Sequence, residues 1–193
     1  MPAHLLKRAA AGGCFLAAIL AAPAAMAQTL YFTAIPGQNQ TQLRERFDKV
    51  ADYLAGELDI NVRYIPVKSY AAAVTAFRNN QVQLAWFGGL SGVRARQAVP
   101  DARAIAQGKR DKKFHSYFIA HHSTGIERSE DQLPEAVRGK TFTFGSKSST
   151  SGRLMPQHYI QQGFGQPPKE VFDRVGFSGA HHLTIDVVES GAY

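Results

Sequence analysis

Gly145-Ser146-Lys147-Ser148-Ser149-Thr150-Ser151-Gly152 is the stretch on which the reading of this chain turns. An alternating, β-prone run, Lys140-Thr141-Phe142-Thr143-Phe144, precedes it, and residues 153–162 continue it with helical spacing. Strand, glycine-bounded hydroxyl-rich turn, helix is the geometry of an anion cradle. A helix start leaves backbone N–H groups unpaired and carries a partial positive charge. Ser and Thr hydroxyls there can donate to an oxyanion, and bounding glycines let the backbone come close to it. The plainer reading is an ordinary helix cap, because Ser and Thr are favoured there in any protein. Two catalytic motifs are excluded. A Walker A loop needs G-x-x-x-x-G-K-[ST], but counting from Gly145 puts Thr150 at the second Gly, and Arg153 follows Gly152. A nucleophile elbow needs G-x-S-x-G, and no Ser here has both glycines. The loop is suited to holding an anion rather than breaking one.

The chain has 193 residues, a formal charge of +7 and one Cys. Residues 1–27 read as a secretory signal peptide. Lys7 and Arg8 form its charged start, residues 9–22 an apolar core too short to span a bilayer comfortably, and Ala25-Met26-Ala27 a small-x-small cleavage pattern. Mature protein is expected to begin at Gln28 and to be periplasmic. Cleavage removes two of the 22 basic side chains and none of the 15 acidic ones, so a positive balance remains. It also removes Cys14, leaving no thiol for a disulfide, so a hydrophobic core must hold the exported chain. The densest basic run, Lys109-Arg110-Asp111-Lys112-Lys113, carries an Asp and no interleaved aromatics. It reads as a solvated loop, and no nucleic-acid partner is expected. A diffuse positive field modestly favours an anionic ligand.

Apolar runs punctuated by turns predict strands at residues 30–35, 62–67, 82–87 and 103–107. Helices are predicted between them: from a cap at Asn39 with Leu43, Phe47, Val50, Ala51, Leu54 and Leu58 on one face; from a cap at Ser69 with Tyr70, Val74 and Phe77; and over 90–98. This β-α-β-α-β-α-β order predicts a mostly parallel sheet with helices on both sides. A basic loop follows, then a predicted strand at 115–120 that carries the chain toward a second lobe. The second part predicts a short helix at 129–137, a strand at 141–144, the hydroxyl-rich turn and its helix with Pro156 near the start, a strand at 171–177 and a helix at 180–189. In open parallel sheets, ligands sit beyond the carboxyl ends of strands. Tyr70, Trp86-Phe87-Gly88-Gly89 and Ser149-Thr150-Ser151 all fall at such ends or at the helix starts after them. Each also has a packing explanation, as core or core-edge aromatics and as a cap; their convergence favours a site.

Ser69-Tyr70-Ala71, Leu84-Ala85-Trp86-Phe87-Gly88, the tract from Phe144 through Gly152 to Leu154 and Pro156, and Gly179-Ala180-His181, behind a signal peptide, carry a resemblance. The chain resembles the phosphonate- and phosphite-type (PhnD-like) solute-binding proteins of bacterial ABC importers, over nearly all of residues 29–193. The tract at 144–156 is the most specific part. Residues 34–39 and 85–92 look closest to a branch assigned to selenate transport. The resemblance implies a type II periplasmic binding protein-like α/β fold, two lobes joined by hinge strands. Residues 28–114 would belong to lobe 1 and 115–193 to lobe 2 and its approach to the hinge. It implies capture of a tetrahedral oxyanion (phosphonate, phosphite or selenate-like) and delivery to an ABC permease at the inner membrane, without catalysis, cofactor or metal. Position by position it implies ligand contacts from Tyr70, Phe87, Tyr117, Ser149, Thr150, Ser151 and His181. The family pattern has Tyr where this chain has Phe87, so one hydroxyl donor is lost if that position touches ligand. Family members continue beyond residue 193 to complete lobe 1 and a second hinge crossing. The expectation is therefore a C-terminally truncated member with an unpaired sheet edge.

Two other readings compete. An exported enzyme could use His121-His122 and His181-His182 as metal ligands, but neighbouring residues on a strand point to opposite faces, and no H-x-x-x-H or H-E-x-x-H accompanies them. A sensor domain of the same fold would need a transmembrane or regulatory segment, which the sequence does not display.

Overall fold

The computed structural model describes residues 28–130 and 132–193; the expected signal peptide, 1–27, lies outside them. The first half runs β1 (Leu30–Ala34), α1 (Gln40–Leu58), β2 (Val62–Tyr64), α2 (Tyr70–Arg78), β3 (Leu84–Trp86) and α3 (Gly89–Ala98). Its strands are parallel in the order β2-β1-β3, with Phe32 opposite both Tyr64 and Leu84. Caps place the helices as the sequence reading has them. Asn39 accepts from the Gln42 N–H at 3.0 Å, and Ser69 from the Ala72 N–H at 3.0 Å; each such cap contributes about 1 kcal/mol. The aromatic rings of Phe32, Phe47 and Tyr64 pack with centroids 5.1–5.7 Å apart and form one core with Leu43 and Ala51. Thr33 is fully buried in β1 and satisfies its hydroxyl by donating to the Ile65 carbonyl at 2.6 Å.

The second half contains β4 (Thr141–Phe144), α4 (Met155–Phe164), α5 (Pro168–Val171), β5 (Arg174–Phe177) and α6 (His181–Glu189). β4 and β5 pair in parallel, Phe144 opposite Phe177. A separate core forms from Val137, Phe144, Ile160, Val171 and Phe172, with Phe142 stacked on Phe172 at 4.5 Å. Two sheets, each with its own apolar cluster, make the two lobes expected of the fold. Among the described residues no helix is long and apolar enough to cross a membrane.

Five sequence expectations need correction. Residues 103–107 and 115–120 form no strand and pair with none among the described residues. No strand lies beside either, and Ile105 and Tyr117 stand 79% and 83% exposed; a strand exists only with a hydrogen-bonded neighbour. The hinge strand read into 115–120 is therefore a connecting segment here. The helix at 129–137 shrinks to one tight turn, Glu135–Val137. Pro134 drives its predecessor out of helical backbone and has no N–H to give. The strand read from 171 starts at Arg174, because Pro167-Pro168 instead opens the short α5. His121 and His122 lie at a turn rather than on a strand, and their rings face each other with centroids 4.1 Å apart.

Candidate anion site between the lobes

The loop 145–152 is closed by its own glycines: the Gly145 N–H donates to the Gly152 carbonyl at 2.8 Å. A Cβ at Gly145 would meet Gly152 at 3.5 Å, an ordinary packing distance, so the two ends of the loop lie in direct contact. Within the loop Ser149 caps the helix, its Oγ accepting from the Gly152 N–H at 2.9 Å. The first turn, Thr150–Leu154, is wider than an α-helix, with the Leu154 N–H donating to the Ser149 carbonyl at 3.1 Å. Such π-turns are rare and are frequent at functional sites. Among the described residues, the N–H groups of Thr150 and Ser151 donate to no protein acceptor. The loop's only cation, Lys147, is exposed and lies over the Phe177 ring at 5.0 Å.

Three more helix starts come to the same place. α2 brings Tyr70, which is 2% exposed, to the side of Ser149. α3 brings the Leu90 N–H, which donates to Thr150 Oγ1 at 2.7 Å across the lobes. Gly89 approaches so closely that a Cβ there would stand 3.0 Å from Thr150 Oγ1. α6 brings His181, whose Nε2 lies 3.4 Å from Ser151 Oγ and whose ring would sit 3.1 Å from a Cβ on Gly152. Each helix start presents free N–H groups and partial positive charge. Burial pushes the Tyr70 hydroxyl pKa up, against a smaller opposing pull from the Ser149 side chain. Burial pushes His181 down, and neighbouring His182 adds to the shift. Both groups are therefore neutral near pH 7, so neither brings a formal charge to the site. Among the described residues, no group of three or more His, Cys, Asp or Glu side chains is placed to hold a metal.

Of the seven residues named from sequence, Tyr70, Ser149, Thr150, Ser151 and His181 come together. Phe87 does not join them. It sits edge-on to Phe77 with ring centroids 5.6 Å apart, packing the junction of α2 and α3. Tyr117 points to solvent beside His115, while its neighbour Ser116 donates to the Ser151 carbonyl at 2.9 Å. Successive residues of an extended chain face opposite ways, so only one of the pair can meet the loop. Sequence reasoning also missed Arg94, whose Nη1 donates to the buried Ser148 Oγ at 2.5 Å. Gly37 was missed too: a Cβ there would lie 3.8 Å from both the Tyr70 hydroxyl and the His181 ring. The signal for Gly37 was available, since Pro36-Gly37 follows β1 at its carboxyl end, where parallel sheets place ligands.

Two parallel α/β lobes, each delivering helix starts to a shared cleft, form the architecture of periplasmic binding proteins. Residues 32–193 match the family model described as "ABC transporter, phosphonate, periplasmic substrate-binding protein", and the chain belongs to that family. It is 44% identical over 161 residues to the probable ABC transporter phosphite binding protein PhnD1 of Prochlorococcus marinus (strain MIT 9301), covering 83% of this chain and 54% of that protein. It is 27% identical over 137 residues to the phosphonates-binding periplasmic protein of Escherichia coli (strain K12), covering 69% of this chain and 40% of that protein. The chain thus spans about half the length of the curated relatives it matches. The structure of Prochlorococcus PhnD1 in complex with methylphosphonate superposes with a TM-score of 0.69 at 39% identity, over 85% of this chain and 61% of that one. A binding protein component of an ABC phosphonate transporter from Pseudomonas aeruginosa, 19% identical with a TM-score of 0.64 over 85% of this chain and 54% of that one, shares the fold.

Proposed function

We propose that this chain is the ligand-capturing part of a periplasmic component of an ABC importer, and that it clamps a tetrahedral oxyanion between its lobes. Tyr70, Ser149, Thr150, Ser151 and His181 would hold the anion, with free N–H groups at the helix starts. The observation that carries the reading is the Leu90–Thr150 contact, which sets α3 against the hydroxyl-rich turn. An ionised oxyanion has several acceptor oxygens and needs many donors, which neutral hydroxyls and N–H groups supply without a competing counter-ion. Ser149 Oγ accepts from the Gly152 N–H, and the His181 imidazole stands 3.4 Å from Ser151 Oγ, a long contact for a general base. That favours capture over turnover. The phosphite and methylphosphonate named for Prochlorococcus PhnD1 favour a phosphorus oxyanion over selenate for this chain. The partner would be the importer's permease, and residues 1–27 would direct export.

Thermal melts with phosphite, methylphosphonate, sulfate and selenate test this, combined with ³¹P spectra of the recovered ligand. The reading expects saturable stabilisation by at least one phosphorus oxyanion, returned chemically unchanged. No shift with any of them, or a new phosphorus product, would overturn it.

A further inference from the structure

Resting on the reading of the cleft as an oxyanion site, we infer that Arg94 is a positioning residue for capture: it latches α3 of the first lobe onto the ligand-holding loop and keeps the cleft shut on a bound anion. Among the described residues, two hydrogen bonds run directly from first-lobe elements to the loop 145–152. One is the Leu90 N–H on Thr150 Oγ1. The other is Arg94 Nη1 on Ser148 Oγ at 2.5 Å. Leu90 and Arg94 stand four residues apart, so they share one face of α3, and that face meets the loop at two points. The first contact uses a hydroxyl assigned to the ligand. The second uses no side chain of the anion cluster, so it can be changed without touching the anion's own donors. Ser148 is 6% exposed, and its N–H donates to Ser146 Oγ at 3.3 Å, while the Ser149 N–H donates to the Ser146 carbonyl at 3.0 Å. The loop is thus tied within itself, and a hold on Ser148 sets the position of residues 149–151.

Charge makes the latch depend on occupancy. Among the described residues, Arg94 has no carboxylate within ion-pair distance. Its guanidinium instead lies beside the helical segment that opens at Thr150, whose start carries partial positive charge. With the cleft empty, the two repel. An anion held at Thr150 and Ser151 supplies the missing negative charge and turns the balance to attraction. The latch is therefore stronger in the loaded cleft. A group that favours the loaded, closed arrangement over the empty one raises affinity by that difference alone. A hydrogen bond from an ionised donor is stronger than a neutral one, but Arg94 is exposed, and water and salt screen it. The difference is worth about three- to tenfold in affinity.

Titration calorimetry with methylphosphonate and phosphite, at low and at high sodium chloride, tests the latch on the wild type, Arg94→Met, Arg94→Lys, Ser148→Ala and the Arg94→Met/Ser148→Ala double variant. Arg94→Met keeps the aliphatic stem and drops the charge. It should weaken both anions about three- to tenfold at low salt, by similar factors because the latch touches neither. That loss should shrink at high salt, where the charge is screened in the wild type as well. Arg94→Lys, which keeps a charged donor, should recover most of the loss. The double variant should bind no more weakly than Arg94→Met, because both changes break one contact. Melts of unliganded Arg94→Met should match the wild type, which a merely structural role would not allow. Equal affinities for wild type and Arg94→Met, a loss that does not shrink with salt, additive losses in the double variant, or Arg94→Lys as weak as Arg94→Met would each refute the latch. Failure of the wild type to bind either anion refutes the oxyanion reading itself, and this inference with it.

Discussion

Replacing Thr150 with Val removes one hydroxyl and keeps the side-chain shape. In the structure Thr150 Oγ1 accepts from the Leu90 N–H at 2.7 Å. Its own proton has no acceptor among the described residues, so it is free for a ligand oxygen. The substitution therefore acts twice. It removes a neutral hydrogen bond between the lobes, of about 1 kcal/mol, and a donor to a charged ligand, of about 1.5–3 kcal/mol. Together these weaken binding by roughly 50- to 1,000-fold. Ser148→Ala is the matched comparison. Ser148 is buried in the same loop but pairs with Arg94, so it should shift affinity by tenfold at most. Titration calorimetry with methylphosphonate gives both numbers. Equal affinities for wild type and Thr150→Val, in a variant that melts normally, would refute the reasoning that Thr150 links lobe, loop and ligand.

Gly89→Ala sets helix propensity against lobe contact. Alanine favours the helix by about 1 kcal/mol, but its Cβ would stand 3.0 Å from Thr150 Oγ1, and overpacking costs about 1–3 kcal/mol; affinity should fall several-fold and the melting temperature of unliganded protein should hold or fall. His181 gives a pH signature. Its pKa is lowered on folding, chiefly by burial and then by His182. As pH falls below the unfolded value of about 6.5, the unfolded chain takes up the proton first, so stability is full above that pH and is lost as pH drops toward the folded pKa. Melts between pH 8 and pH 5 should therefore show a steeper acid decline in wild type than in His181→Asn; parallel curves would remove the cause assigned here. Asn39→Ala should lower stability by about 1 kcal/mol through loss of the α1 cap, read by denaturant melts, without changing ligand affinity.

The elements that were legible in the sequence are those with local causes. Asn39 and Ser69 announce α1 and α2 because a capping side chain bonds within three residues of itself. The turn 145–152 announces β4 and α4 because glycine, hydroxyl and helical spacing all lie in one short stretch. What failed was non-local. Residues 115–120 have the composition of a strand, but pairing depends on a neighbour that no local pattern encodes. The choice between Ser116 and Tyr117 at the loop is a matter of which face of an extended segment turns inward. A one-residue shift reverses that choice. Phe87 reads as a site residue by its place after β3, yet its ring is taken by Phe77 on a helix ten residues earlier. Arg94 is one arginine among many until folding puts it against Ser148.

The most direct test is a crystal structure of this protein grown with methylphosphonate. The account predicts phosphorus between the lobes, its oxygens about 2.7–3.0 Å from the N–H groups of Thr150 and Ser151 and from the Tyr70 hydroxyl. Phosphonate bound elsewhere, or in the cleft but out of reach of the 149–151 turn, would contradict it.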